Sequence, residues 1–423
     1  MITFLISITI LIAGYFTYGK FLDKFFGADP KRDVPAISMA DGVDYKVIKP
    51  WKIFIIQFLN IAGLGPIFGA IMGAAYGPLA YLWIVLGCVF MGATHDYIAG
   101  MLSLRHNGAS LNDIIKHYLG KNFTKFLTVV IILLLFAVGT SFISGPAGLL
   151  QGITGLDIKI WLVIIFLYYI IATMLPIDKI IGNVYPYLGA ILLFMAIAIG
   201  GSLLIKGATG EVTITELTFD NFRNFKSNPT ENILFPMLFV VISCGAISGF
   251  HSTQSPLMAR CMSNEKYGKP IFYGAMIAEG VVACIWATAA MAYFGGPDGL
   301  NAAADAGKTP AIIVNEICNT WLGKTGAIIA VLGIVVCPIT TGDTAFRSLR
   351  LILADAVGFP QKSIKNRILI CIPIFLIAFL SCSSVIGFKD FNGTKIASLI
   401  SGRFPSQEWL AKNPSSASAS TDI

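Results

Sequence analysis

The chain has 423 residues, of which 56% are hydrophobic and only 13% are charged. Soluble domains carry roughly 25% charged residues, so a soluble fold of this length could not bury so much apolar surface. A net charge of +7 would indicate nucleic-acid binding in a soluble protein. In a membrane protein it instead predicts basic loops beside an anionic lipid surface. We therefore expect an all-α polytopic membrane protein that lies in a lipid bilayer and binds no nucleic acid.

Ten apolar runs are candidates for crossing the membrane, since a spanning helix needs about 20 mostly apolar residues. In chain order they are residues 2–19, 53–74, 79–104, 126–144, 160–175, 180–205, 233–258, 271–294, 326–351 and 368–386. No Lys or Arg precedes the first run. We therefore expect that run to be a retained helix rather than a signal peptide.

The basic residues orient these runs. If the loops alternate between the two sides of the membrane, one side receives 20 of the 30 Lys and Arg residues and the opposite side receives six. Cytoplasmic loops carry the excess of Lys and Arg in membrane proteins. The first side is therefore predicted to be cytoplasmic, which places the N-terminus outside.

Two of the runs contain clusters of Gly and Pro. The second run contains IAGLGPIFG at residues 61–69, and the seventh contains Gly245 followed by HSTQSP at residues 251–256. Such clusters predict helices that are broken at membrane depth, where freed backbone groups must face protein or a polar cavity. A third segment interrupted by Gly and Pro, CPITTG at residues 337–342, lies in the ninth run. Whether this run forms one helix or two pieces stays open at this point.

The first two breaks indicate an internal repeat. Gly65 and Gly245 lie 180 residues apart, and the second broken run begins five runs after the first. An odd number of helices per repeat inverts the second copy in the membrane and places the substrate site at the paired breaks. The alternative is coincidence, because Gly is common in membrane helices.

The repeat predicts four segments along the chain. They are an N-terminal helix with a cytoplasmic loop at 1–52, a first transmembrane repeat at 53–232, a second and incomplete repeat at 233–388, and an atypical tail at 389–423. The tail is rich in Ser, Ala and Asn and is predicted to be disordered.

Polar residues at membrane depth are costly, so each is a functional candidate. For substrate binding we expect Gly63, Gly65, Pro66, Gly245, His251, Thr253, Gln254 and Ser255. For proton or ion coupling we expect His95, Asp96, Glu279, Thr340, Thr341 and Asp343.

Two kinds of coupling stay open at this point. A desolvated carboxylate could carry a proton across the site, whereas the Thr hydroxyls, with backbone carbonyls near the first break, could hold Na⁺. A helix beginning near Gln254 would favour an anionic group of the substrate. The structural alternative is that these polar residues only pair with one another and hold helices together.

The motifs of several enzyme classes are missing from the sequence. It contains no HExxH, GxSxG or GxxxxGK[ST] pattern, and its His and acidic residues show no metal-ligand spacing. We therefore expect neither an enzyme nor a primary pump, with no catalytic residues, no bound metal and no cofactor beyond a coupling ion.

Six stretches closely resemble the carbon starvation (CstA) family. They are DGVDY at 41–45, IAGLGPIFG at 61–69, GATHDY at 92–97, GFHSTQSPLMAR at 249–260, GAMIAEG at 274–280 and CPITTGDTAFR at 337–347. The resemblance implies a bacterial plasma-membrane transporter with a LeuT-like inverted repeat. It also implies uptake of peptides during nutrient limitation, or of pyruvate together with protons.

Two points limit this expectation. Family members normally continue into further spans, whereas residues 381–423 contain no convincing apolar run of 20 residues. A membrane sensor of the starvation response, which would bind the same solute without moving it, is the alternative function. The paired broken helices favour a transporter, as does the lack of a sizeable soluble signalling segment.

Overall fold

The computed structural model describes residues 1–42, 44–174, 185–243, 250–359 and 364–387, and every regular element among them is helical. The chain forms two compact units, residues 1–375 and 376–423. The second unit is described only to residue 387, where it consists of the end of one helix. The predicted tail, 389–423, lies outside the described residues.

The first half of the chain forms eleven described helices. They are α1 Ile2–Phe16, α2 Tyr18–Phe26, α3 Pro35–Ser38, α4 Pro50–Ala62, α5 Ala70–Ala74, α6 Leu79–Leu86, α7 Ala93–Arg105, α8 Leu111–Leu119, α9 Lys121–Thr154, α10 Ile158–Met174 and α11 Tyr185–Thr209. π-Helical turns at Gly65–Gly69 and Gly87–Gly92 connect α4 to α5 and α6 to α7.

The second half forms six described helices. They are α12 Leu234–Val241, α13 His251–Ala259, α14 Gly274–Tyr293, α15 Pro297–Asp305, α16 Pro310–Val357 and α17 Ile364–Gly387. All ten apolar runs coincide with helices wherever the structure describes them. Six helices are long and apolar enough to cross a membrane, or seven when one bent pair counts as a span. The number of ten crossings therefore stays a prediction.

The first predicted break is confirmed. The helix axis turns by 54° between Pro50–Ala62 and Gly65–Ala74. Gly63 lies between them with φ +50° and ψ −135°, a backbone conformation that strongly favours glycine. A Cβ atom there would stand 3.2 Å from the Phe142 ring. The break is thus packed against protein, as the lack of hydrogen-bonding solvent in a bilayer requires.

The second predicted break lies mainly outside the described residues. Helix α12 ends at Val241 and α13 begins at His251, while residues 244–249, which include Gly245, are not described.

The structure decides the question left open at residues 337–342, where the ninth run forms one continuous helix. Helix α16 continues through Pro338, and its one non-helical residue is Gly323, with φ 66° and ψ 177°. Pro338 lacks the backbone donor that would otherwise bond the Ile334 carbonyl, four residues earlier. The hydroxyls of Thr340 and Thr341 each lie 2.9 Å from the Cys337 carbonyl and donate to it within the continuous helix.

Helix α14 is the most enclosed candidate span, because 89% of its apolar window is buried. Its neighbours include α1, α4 and α5. Small residues permit this close packing, as is usual between membrane helices. One example is Gly100 on α7, where a Cβ atom would stand 2.3 Å from the buried ring of Phe272 just before α14.

We predict that Gly100→Val destabilises the fold by about 1–3 kcal/mol, because Phe272 has no free space into which to move. The matched control is Gly148→Val on α9, where a Cβ atom meets nothing within 4 Å. The measurement is the thermal denaturation midpoint of the purified protein in detergent. Equal midpoints for the two variants would contradict this packing.

Candidate functional site

A fully buried carboxylate joins three helices beside the first break. Asp96 on α7 accepts hydrogen bonds at its Oδ1 from Gln57 Nε2 on α4, at 2.8 Å, and from Ser255 Oγ on α13, at 2.5 Å. The Gln57 amide also donates to Ser255 Oγ at 3.1 Å. All three side chains have no solvent exposure. The structure therefore brings the predicted Asp96 and Ser255 together.

Two histidines lie beside this carboxylate. His95 Nδ1 and His251 Nδ1 are 3.2 Å apart, so the N–H of one ring donates a hydrogen bond to the nitrogen of the other. The second nitrogen of His251, Nε2, lies 3.9 Å from Asp96 Oδ2. The three side chains are neighbouring titratable groups, although the gap between His251 and Asp96 is too long for a hydrogen bond. A proton can pass between such groups when a water molecule or a small side-chain movement bridges the gap.

Glu279 on α14 adds a second fully buried carboxyl. Asp96 lies within its electrostatic range, and so do the thiols of Cys88 and Cys337. Neither oxygen of Glu279 has a hydrogen-bond partner within the described residues. Glu279 thus adds a second buried carboxyl within electrostatic range of Asp96, from another helix.

The region contains an unusual number of buried polar atoms without a protein partner in the described part of the chain. They are Gln57 Oε1, Asn60 Oδ1 and Nδ2, Asp96 Oδ2, His251 Nε2, Gln254 Oε1 and Nε2, and Glu279 Oε1 and Oε2. Each such atom costs about 1–3 kcal/mol, and native proteins keep only a few. These six side chains, together with His95 and Ser255, are called the polar cluster below. Atoms clustered in this way are suited to binding a polar solute.

Gln57 and Asn60 are the members that the sequence analysis missed. They lie three residues apart, and therefore on one face of α4, within an apolar run. Uncharged amides do not stand out in a search for ionisable residues. Their spacing on the helix that leads into the break was the signal that could have identified them.

One of the two predicted Thr residues, Thr341, reaches the first break from α16, whereas Thr340 donates to the Cys337 carbonyl within its own helix. Thr341 Oγ1 donates to the Asn60 carbonyl at 2.9 Å, and it would lie 3.6 Å from a Cβ atom at Gly63. Cys337 Sγ donates to the Leu59 carbonyl at 3.3 Å. A hydroxyl keeps its lone pairs when it donates. Thr341 and the last carbonyls of α4 therefore offer oxygen ligands of the kind that hold Na⁺ at such breaks.

Asp343 lies in a different environment. Its Oδ2 accepts from Tyr185 OH on α11 at 2.5 Å, and Arg347 Nη2 lies 3.8 Å from its Oδ1. Arg347 also donates to the Ala172 carbonyl at 2.6 Å. None of these described contacts reaches Asp96. They favour a structural role, and the coupling role of Asp343 stays a prediction.

The remaining predicted residues fall at the edges of the site. Gly65 and Pro66 lie in the π-helical turn after the first break, and Thr253 is half-buried on α13. Gly245 lies outside the described residues. In the described part of the chain, no three His, Cys, Asp or Glu side chains are grouped so that they could hold a metal ion.

The sequence model of the family described as "Carbon starvation protein CstA" matches residues 1–144 and 122–325. The chain belongs to this family. It is 44% identical over 353 residues to an uncharacterized membrane protein of Haemophilus influenzae, an alignment that covers 73% of this chain and 95% of the relative.

Named transporters are more distant relatives. The pyruvate/proton symporter BtsT of Escherichia coli is 26% identical over 345 residues, which are 67% of this chain and 48% of BtsT. The peptide transporter CstA of Bacillus subtilis is 28% identical over 348 residues, which are 67% of this chain and 57% of that protein. The alignments thus span about half the length of these named transporters.

Solved structures show the fold. MhsT in complex with L-phenylalanine superposes with a TM-score of 0.58 at 13% identity, covering 84% of this chain and 85% of that one. A Na⁺-coupled sialic acid symporter superposes with a TM-score of 0.52 at 13% identity, covering 91% and 82%. The LeuT-like inverted repeat with broken helices is thereby confirmed. The chain is a multi-pass membrane protein of a transporter family and not an enzyme.

We predict that Tyr185→Phe lowers the stability by about 1–3 kcal/mol, because it removes a donor from the buried carboxyl of Asp343. Tyr187→Phe on the same helix is the control, since Tyr187 is 75% exposed. Thermal denaturation of both purified variants is the measurement. If Tyr185→Phe melts like the control, the bond to Asp343 does not support the fold.

Proposed function

We propose that the chain is a secondary active transporter that takes up peptides or a small carboxylate such as pyruvate, coupled to protons, during nutrient starvation in a bacterium. The observation that carries this proposal is the polar cluster beside the first break. Its buried atoms without partners in the described part of the chain suit a polar solute, and many transporters bind their substrates at such breaks. The names of the relatives support the choice of peptide and pyruvate.

The start of α13 is the expected binding position for the carboxylate of the substrate. His251 is the first residue of this helix, and Gln254 and Ser255 follow one turn later. The positive dipole end of a helix favours an anionic group. In this proposal the carboxylate lies at the α13 terminus, and the side-chain amides of Gln254, Gln57 and Asn60 provide further hydrogen bonds.

Asp96 and Glu279 are the side chains expected to bind the coupling proton. An unpaired buried charge costs several kcal/mol, so a carboxylate in this cluster has to be neutralised by a proton or by a cation. A proton satisfies this requirement when the solute is a monocarboxylate, whereas the amine of a peptide satisfies it directly. In this proposal the proton moves between Asp96 and the His95–His251 pair, whose second member is the first residue of α13.

Sodium is the second coupling ion to test. The hydroxyl of Thr341 and the carbonyls at the end of α4 supply oxygen ligands next to the same cluster. Substrate binding and Na⁺ binding at the first break would then share α4, which gives a direct physical link between the two.

The decisive test is uptake of labelled pyruvate, and separately of a labelled dipeptide, into proteoliposomes that contain the purified chain. We predict accumulation driven by an inward proton gradient, and its loss when a protonophore collapses the gradient. Accumulation that needs an inward Na⁺ gradient instead would transfer the coupling role to the Thr341 region. If neither solute accumulates under either gradient, while both bind, the chain acts as a sensor and the transport proposal is wrong.

We further predict that Glu279→Gln abolishes gradient-driven accumulation, because the amide cannot carry a proton, and that His251→Ala does the same. Both variants should still insert in the membrane. Glu316→Gln is the matched control, since Glu316 forms its ion pair with Lys308 in a half-buried position outside the cluster. Uptake at the control level in both variants would remove Glu279 and His251 from the site.

A further inference from the structure

A cavity lined by polar and apolar side chains lies next to the polar cluster, on the side that the basic loops predict to be cytoplasmic. Its volume is about 310 Å³, at the lower end of the roughly 300–1,000 Å³ that is usual for ligand pockets. Ser252, Thr253 and Arg260 of α13 line one wall, and Ser348 of α16 lines another. Because α13 begins at His251, this single helix runs from the polar cluster along the cavity wall.

Arg260 supplies a fixed positive charge at this cavity. Its Nε donates to the Gly108 carbonyl at 2.7 Å, which holds the side chain in place. The structure describes no ion pair and no further hydrogen bond for its two terminal nitrogens. A guanidinium held in this way presents both terminal N–H groups in the fork geometry that binds carboxylates.

The DGVDY stretch holds an aromatic ring beside that charge. Asp41 Oδ1 accepts from the backbone amides of Asp44 and Tyr45, both at 2.9 Å, which closes a tight turn. Tyr45 OH then donates to the Asn107 carbonyl at 3.1 Å, and its ring centre lies 5.3 Å from the Arg260 guanidinium. The ring thus shields one face of the guanidinium, and the stretch builds one wall of the cavity.

Gly108 is needed for this arrangement. Its φ is +72°, and a Cβ atom there would stand 2.7 Å from Arg260 Cγ and 2.8 Å from Tyr45 Cε1. The ring, the guanidinium and the loop backbone are therefore packed tightly together. Such tight packing restricts the rotamers of Arg260, and less entropy is lost when a ligand binds to it.

We propose that this cavity is a second binding site for the carboxylate of the transported solute, with Arg260 as its anchor and the hydroxyl of Ser348 as a further donor. The inference rests on the proposed function and extends it. A solute that leaves the polar cluster toward the cytoplasm is held here before release.

A carboxylate of the same stretch distinguishes the two kinds of solute. Asp44 also lines the cavity, and it lies within electrostatic range of Arg350. A dipeptide can place its amine near Asp44 while its carboxylate binds Arg260, whereas pyruvate uses Arg260 alone. Asp44→Asn therefore weakens binding of the dipeptide at this site and leaves pyruvate binding unchanged.

The test is equilibrium binding of labelled pyruvate, and separately of a labelled dipeptide, to the purified chain in detergent. The wild type is expected to bind two molecules of solute per chain, and Arg260→Gln only one. Arg260→Lys keeps the charge without the fork and is expected to retain the second site with weaker affinity. Arg32→Gln is the control, since Arg32 lies on the same side, is 46% exposed and does not line the cavity.

A transport measurement from each side gives an independent readout. Arg260→Gln is expected to raise the half-saturating internal concentration for solute efflux by about tenfold or more, the effect of losing a charge-assisted hydrogen bond, with the external value unchanged. Equal binding stoichiometry in wild type and Arg260→Gln, or equal effects from both sides, overturns the second site. An absence of any binding or uptake by the wild type overturns the proposed substrate class as well, so the two failures are distinguishable.

Discussion

The structure depends on one constraint, which is that a helix broken at membrane depth has to find partners for its backbone inside the protein. The first break meets this constraint through α16, because Thr341 and Cys337 donate to carbonyls at the end of α4. The same contacts hold α4 so that Gln57 and Asn60 face the region between α7, α13 and α14. Packing that a broken helix requires thus also builds the candidate site.

Helix α14 completes the site because it is buried almost all round. An entirely apolar helix in this position would have formed an apolar core without polar groups. Glu279 instead introduces one carboxyl within electrostatic range of Asp96. Two carboxyls, one histidine and three side-chain amides therefore share a buried region, and a second histidine, His95, lies at its exposed edge. Such an arrangement is costly for stability alone, and the cost is understandable if solute and proton complete the hydrogen bonds.

The sequence predicted the fold well where the signal was apolar length or a cluster of Gly and Pro. The helices and the break at Gly63 follow directly from that signal. At residues 337–342 the sequence left one helix and two pieces equally open, because the effect of a proline on a membrane helix depends on the groups packed around it. The true interruption of α16 lies at Gly323, outside the apolar run from which the span was predicted.

The candidate site was predictable in part, for a similar reason. Ionisable residues in an apolar run are conspicuous, so His95, Asp96, His251 and Glu279 were found. Their grouping was not predictable, since it depends on how α7, α13 and α14 pack against one another. The sequence likewise placed Asp343 with the coupling residues, whereas its contacts are with Tyr185 and Arg347.

The central claim is that the buried polar cluster binds the substrate. A structure of the chain with a bound dipeptide or pyruvate tests it most directly. The account predicts the solute between α4, α13 and α14, within hydrogen-bond distance of Gln57, Asn60 or Gln254 and next to Glu279. A solute bound at saturating concentration with no contact to these side chains would contradict the account.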